Sequence, residues 1–161
     1  MADAAVFTRV REIVTILGVF VGLTYYIMNL REVRRNRRIT LTTTMLQPFM
    51  TGDGYSSVMK LLSMEWTSIE DFMNKYSSKV DWDNAARRMA LWNTCNSIGS
   101  VYRDELLDLK TIFTSSGGII DVIWRKFELV IKHFRTTVYS PKAYEDFEYL
   151  AEKLREYAKT H

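Results

Sequence analysis

The sequence predicts an all-α fold: one N-terminal transmembrane helix followed by a cytoplasmic bundle of about five or six helices. Three observations predict it. Residues 13–30 carry no charged side chain, a cluster of arginines follows at once, and the rest of the chain shows apolar residues at helical spacing with no strand-like alternation. With 161 residues, the chain suits one compact domain plus an appendage.

The first element is the apolar run. Ile13–Leu30 is 18 residues long, and ten of them are Ile, Leu, Val or Phe. At 1.5 Å rise per residue this gives about 27 Å of helix, close to the roughly 30 Å of bilayer hydrocarbon. Gly18, Gly22, Thr15, Thr24 and Asn29 reduce the gain from insertion without abolishing it. A cleaved secretion signal fits less well, because the run ends in Asn29-Leu30-Arg31 without a small-residue cleavage pattern. A buried soluble helix fits less well too, because Ile13–Leu23 is apolar nearly all round.

Charge orients the span. Residues 1–38 hold seven arginines against Asp3, Glu12 and Glu32, whereas residues 39–161 hold 15 Lys and Arg against 16 Asp and Glu. Arg31, Arg34, Arg35, Arg37 and Arg38 all lie after the apolar run. The positive-inside rule puts that end in the cytoplasm and the short segment 1–12 outside. The same arginines would attract anionic lipid headgroups, so a bilayer with anionic headgroups is the first expected partner. Thr15, Gly18 and Gly22 share one face at the spacing that lets membrane helices approach closely, and mark a candidate helix–helix contact. The near-neutral body argues against nucleic acid as a partner.

The remaining elements follow in order. A basic juxtamembrane helix over 31–46 continues the span and ends near Pro48, before a cytoplasmic domain over 47–161. "TGDG" (51–54) reads as a turn, with a helix from Tyr55 to Met64. Thr67 and Glu70 have capping-box spacing for a short helix to Tyr76. Asp81 or Asp83 starts a helix to Tyr102, on which Leu91, Cys95, Ile98 and Tyr102 recur at helical spacing, as do Met89 and Trp92. Asp104 can cap a helix carrying Leu106, Leu107, Leu109, Ile112 and Phe113, which "SSGG" (115–118) ends. A helix over 119–137 follows. Ser140 and Pro141 restart the chain into a last helix with Tyr144, Phe147, Leu150, Ala151, Leu154 and Tyr157 on one stripe.

Asn96, Ile98-Gly99, Arg103, "LLD" (106–108), Gly118, Trp124, Phe127 and "YEDFEYLAEKL" (144–154) carry a resemblance over most of the chain. It is to an uncharacterised prokaryotic family of short proteins with one N-terminal span, a basic stretch and a helical domain of unknown function. The resemblance implies that architecture and a membrane location, and no activity. Relatives often carry an acidic residue near the position of Ser97 or Ser100, so a role resting on that acid would not transfer.

Catalytic constellations are missing from the sequence. It has no phosphate-binding loop, G-x-G-x-x-G, H-E-x-x-H, G-x-S-x-G or C-x-x-C. One cysteine, Cys95, and two histidines, His133 and His161, leave no set for a zinc site, and no cofactor is implied. Asn93, Asn96, Arg103, Asp104 and Glu105 cluster in the sequence near one helix junction and form a candidate polar pocket. Trp66, Trp82 and Tyr139 are the aromatic residues expected at the surface. The expected function is a non-enzymatic single-pass membrane protein whose cytoplasmic domain docks a protein partner or forms a homo-oligomer. The alternatives are an accessory subunit of a larger membrane complex, or a membrane-tethered nuclease acting on RNA through Arg155 and His161.

Overall fold

The computed structural model describes the backbone of residues 2–116 and 118–160, with side chains from Arg11 onward. Among these residues there are seven helices and no strand: α1 (Ala2–Met50), α2 (Gly52–Leu62), α3 (Ile69–Tyr76), α4 (Trp82–Arg103), α5 (Leu109–Ser116), α6 (Ile119–Thr137) and α7 (Glu145–Thr160). The chain divides into two units, Met1–Arg37 and Arg38–His161.

The first unit is helix throughout its described backbone. Its side chains from Arg11 to Arg37 are all exposed. Thr15 and Thr24 donate their hydroxyls to the carbonyls of Arg11 and Phe20, both at 2.8 Å. These two polar groups of the apolar run are therefore satisfied inside the helix, as a lipid environment requires.

The second unit is a helical bundle in which α4 and α7 form the principal packing pair. Helix α6 lies on α7, α2 and α3 lie on α4, and α5 lies on α7. Trp92, Trp124, Phe72, Phe127 and Phe147 are fully buried at its centre, with Ile98, Ile112, Ile120, Ile123 and Ile131 around them. Each ring pair meets edge-on or tilted more often than stacked, as the aromatic quadrupole favours; Trp92–Phe127 and Trp124–Phe147 are edge-on at 5.5 and 5.1 Å. Thr42, Leu46 and Phe49 are buried in this unit. The compact domain therefore begins at Arg38, and includes residues that the sequence pattern assigns to the juxtamembrane helix.

Several boundaries differ from the sequence expectation. Helix α1 runs through Pro48 to Met50, because a proline in the last turn leaves only the carbonyl of Thr44 without its intrahelical donor. "TGDG" is helical: Thr51 caps α2 by accepting from the Gly54 N–H at 3.2 Å. Gly54 serves close approach, since a Cβ there would lie 1.7 Å from the Pro48 carbonyl oxygen. Ser68 caps α3, one residue later than expected, while the Asp71 carboxylate accepts from the Thr67 N–H at 3.0 Å.

Asp81 caps α4 as expected, accepting from the Asn84 N–H at 3.0 Å. Asp104 ends α4 instead of starting α5; Asp108 caps α5, accepting from the N–H and hydroxyl of Thr111. Residues 141–144 form a turn, and Tyr144 adopts φ 60°, so α7 starts at Glu145 and not at Pro141.

Candidate functional site

Two features of the molecule can do more than hold it together: the uncovered apolar helix and a charged group inside the bundle. The helix comes first. Between Arg11 and Met50 lies the one described segment long and apolar enough to cross a membrane; its most apolar window has a mean hydropathy of 1.9 and is 0% buried. Nothing lies within 4 Å of a Cβ built on Gly18 or Gly22, so their face is open. Arg31, Arg34, Arg35, Arg37 and Arg38 are exposed. The ion pairs of the described residues run from Asp71 to Glu156, so these five guanidiniums have no carboxylate partner among the described residues.

The five residues of the candidate polar pocket are divided between the surface and the α4–α7 seam. Asn93, Asp104 and Glu105 are exposed, and Glu105 sits at φ 59° in the α4–α5 connection. Asn96 and Arg103 instead belong to the α4–α7 seam. The Asn96 Oδ1 accepts from the Phe147 N–H at 3.2 Å. Arg103 pairs with Glu145 at 3.1 Å and Asp146 at 3.0 Å, and lies over the Tyr149 ring at 4.7 Å. These contacts clamp the start of α7 against α4. The hydrogen bond to Glu145, ahead of the nearby carboxylates, raises the Arg103 guanidinium's pKa.

Arg155 is likewise engaged in structure. Its Nη2 lies 2.7 Å from Asp121 Oδ1, tying α7 to α6, and Arg125 reaches the other oxygen of the same carboxylate at 3.1 Å. His161, its expected catalytic partner, lies outside the described residues. His133 is half-buried on α6 beside Phe134, with ring centroids 6.0 Å apart. Of the expected surface aromatics, only Trp82 is exposed, at 73%. Trp66 packs on Phe127 at 5.4 Å and Tyr139 on Phe134 at 5.7 Å, so both are half-covered by the core.

The feature that the sequence conceals is Arg88. The buried stripe of α4 is Ala85, Arg88, Trp92, Cys95 and Gly99, with Ile98 beside it. Arg88 therefore falls on the seam and is only 2% exposed. Its Nη1 donates to the Tyr76 carbonyl at 3.2 Å and the Asn84 Oδ1 at 3.0 Å. The guanidinium lies over the rings of Phe72 and Trp92, at 4.8 and 5.4 Å from their centroids. No carboxylate pairs with it among the described residues. A buried cation without an ion partner costs on the order of several kcal/mol, and cation–π contacts offset only part of that. Burial pulls the Arg88 pKa down.

An exposed apolar helix long enough to cross a membrane, in a chain whose second unit is a helical bundle with an aromatic core, defines an all-α architecture with one candidate membrane span. The chain belongs to the family described as Domain of unknown function (DUF4760), whose profile matches residues 12–154. That match takes in the apolar run, the arginine cluster and nearly all of the bundle. No curated protein and no solved structure matches the chain.

Proposed function

We propose that this protein is a non-enzymatic single-pass membrane protein, with its N-terminal segment outside and its helical domain on the cytoplasmic side. The domain docks a protein partner or a second copy of the chain. One observation carries the reading: residues 13–30 are uncharged and mostly apolar, lie on one helix, are all exposed, and run directly into five arginines with no carboxylate partner among the described residues. Exposed to water, that surface would be a large contiguous apolar patch of the kind soluble monomers avoid. In lipid it is favourable, and arginines at one end hold that end on the cytoplasmic face and against anionic headgroups. The exposed Trp82, beside exposed Val80 at the start of α4, supports a protein contact, since tryptophan is enriched at the energetic centres of interfaces.

The test is extraction. The full chain is expected to stay in the membrane pellet through alkaline carbonate and to enter the supernatant only with detergent. Deletion of residues 1–38 is expected to release a soluble helical domain. Full-length protein remaining in solution after ultracentrifugation without detergent would overturn the reading.

A further inference from the structure

The outward face of α4 differs from other parts of the bundle surface. Trp82, Ala86, Met89, Ala90, Asn93 and Ser97 are all exposed, and at about 100° of turn per residue they fall within roughly 100° of arc on one side of the helix. None of them is charged. The exposed residues of α6 and α7 include Arg125, Lys132, Glu152 and Glu156, as a solvated surface ordinarily does. Depletion of charge together with exposed tryptophan and methionine is the composition of an interface core. Asp83 and Arg87 border the face along one edge. They pair with each other at 3.0 Å, and both side chains keep much of their surface in solvent.

The order of residues along this face makes it its own complement. When α4 is laid antiparallel on α4 of a second copy, with a two-fold axis level with residues 85–86, residues equally far from that level on opposite sides come to the same height. Ala86 then meets Ala86 of the second copy near the axis, where the small side chain lets the helices approach. Trp82 comes level with Met89 of the second copy, and Asp83 with Arg87 of the second copy. The helical turn puts Trp82 and Met89 on one flank of Ala86, and Asp83 and Arg87 on the other. A two-fold axis at right angles to the helix sets each flank against its own equivalent, so both pairs form together and each forms twice. An indole on a thioether is a favourable contact. On the other flank, the two aspartates and two arginines close a ring of alternating charge, in which each carboxylate has two guanidinium partners. We infer that the outward face of α4 docks a second copy of this chain, antiparallel across a two-fold axis at Ala86. Such an isologous contact closes as a dimer and does not propagate into a filament. The inference rests on the proposed reading only in taking a second copy as what the domain docks; the face itself lies within residues 38–161.

The experiment is disulfide cross-linking of the full chain in permeabilised cells with copper phenanthroline, so that the domain is read whether or not the chain lies in a bilayer. Native Cys95 is buried and stays silent. Ala86→Cys is expected to give a disulfide-linked dimer in at least tenfold greater yield than Thr136→Cys, which places a thiol on an exposed position of α6. Adding Trp82→Ala to Ala86→Cys is expected to lower the yield about tenfold. Adding Asp83→Lys or Arg87→Glu sets like charges opposite one another in the dimer, and each is expected to lower the yield at least fivefold. Co-expression of the Asp83→Lys chain with the Arg87→Glu chain, under different tags, is expected to recover the mixed dimer to near the original yield. Pairing within one chain cannot produce that recovery, because each chain then carries like charges at 83 and 87. All the substituted residues are exposed, so every variant is expected to fold. Equal cross-linking of Ala86→Cys and Thr136→Cys, no dimer from either, or a cross-link from residue 86 to a different protein alone overturns the proposal. So does failure of the mixed pair to recover. Extraction by carbonate reports on the span and cross-linking on α4, so each can fail without the other.

Discussion

Gly99 of α4 lies directly against the backbone of Asp146 at the start of α7. A methyl group at residue 99 would come within 2.0 Å of the Asp146 carbonyl oxygen, which is backbone and cannot swing aside. The principal helix pair of the bundle therefore depends on the absence of one side chain. Gly99→Ala is expected to destabilise the domain by about 2–3 kcal/mol through overpacking. That would lower the thermal midpoint by roughly 5–12 °C. Gly52→Ala is the control, since a Cβ there meets nothing within 4 Å, and a shift of about 0.5 kcal/mol or less is expected. Equal midpoints for the two variants in a calorimetric scan would contradict the packing described for α4 and α7.

The two aspartates flanking the α4–α5 connection should differ. Asp108 accepts from the Thr111 N–H at 2.8 Å and caps α5, whereas the Asp104 side chain has no such bond and is exposed. Asp108→Ala is expected to cost about 1 kcal/mol in chemical denaturation, and Asp104→Ala less than about 0.5 kcal/mol.

Cys95 is fully buried, and burial pushes its thiol pKa well above the usual range. The folded protein should not react with a maleimide at pH 8, and denatured protein should react at once. The sign of the pH effect follows from linkage. The folded state holds the thiol neutral, while the unfolded chain ionises near pH 8.5. The stabilisation is therefore complete below about pH 8.5 and is lost as pH rises above it. Cys95→Val removes the titrating group, so its midpoint should fall less steeply than the wild type's between about pH 8.5 and 10.

The parts of the molecule that the sequence makes legible are those governed by local rules. The apolar run, the Asp81 cap, the start of α6 at Ile119 and the stripe Phe147, Leu150, Ala151 and Leu154 all follow from spacing and capping chemistry. Where two residues of one type compete, as Asp104 and Asp108 do, the downstream N–H decides, and that depends on where the previous helix ends. The candidate polar pocket shows the same dependence on distant parts of the chain. Asn96 and Arg103 find their partners at residues 145–147, more than 40 positions away, while Asn93, Asp104 and Glu105 are exposed.

Arg88 is the hardest to see. An arginine beside another arginine on a helix reads as a solvated face, and only the seam defined by Ala85, Trp92, Cys95 and Gly99 puts it inside. Once that seam is known, the unpaired charge follows. Trp66 and Tyr139 were similarly hidden: their rings are large enough to reach the core from connecting segments.

Single-cysteine labelling from one side tests most directly the proposal that the first unit crosses a bilayer. Native Cys95 is buried and silent, so Asp3→Cys and Lys79→Cys each report one location in intact cells treated with a membrane-impermeant maleimide. Labelling of residue 3 in intact cells, with labelling of residue 79 only after permeabilisation, is the predicted result. Equal labelling of the two positions before permeabilisation, or protection of both, would contradict it.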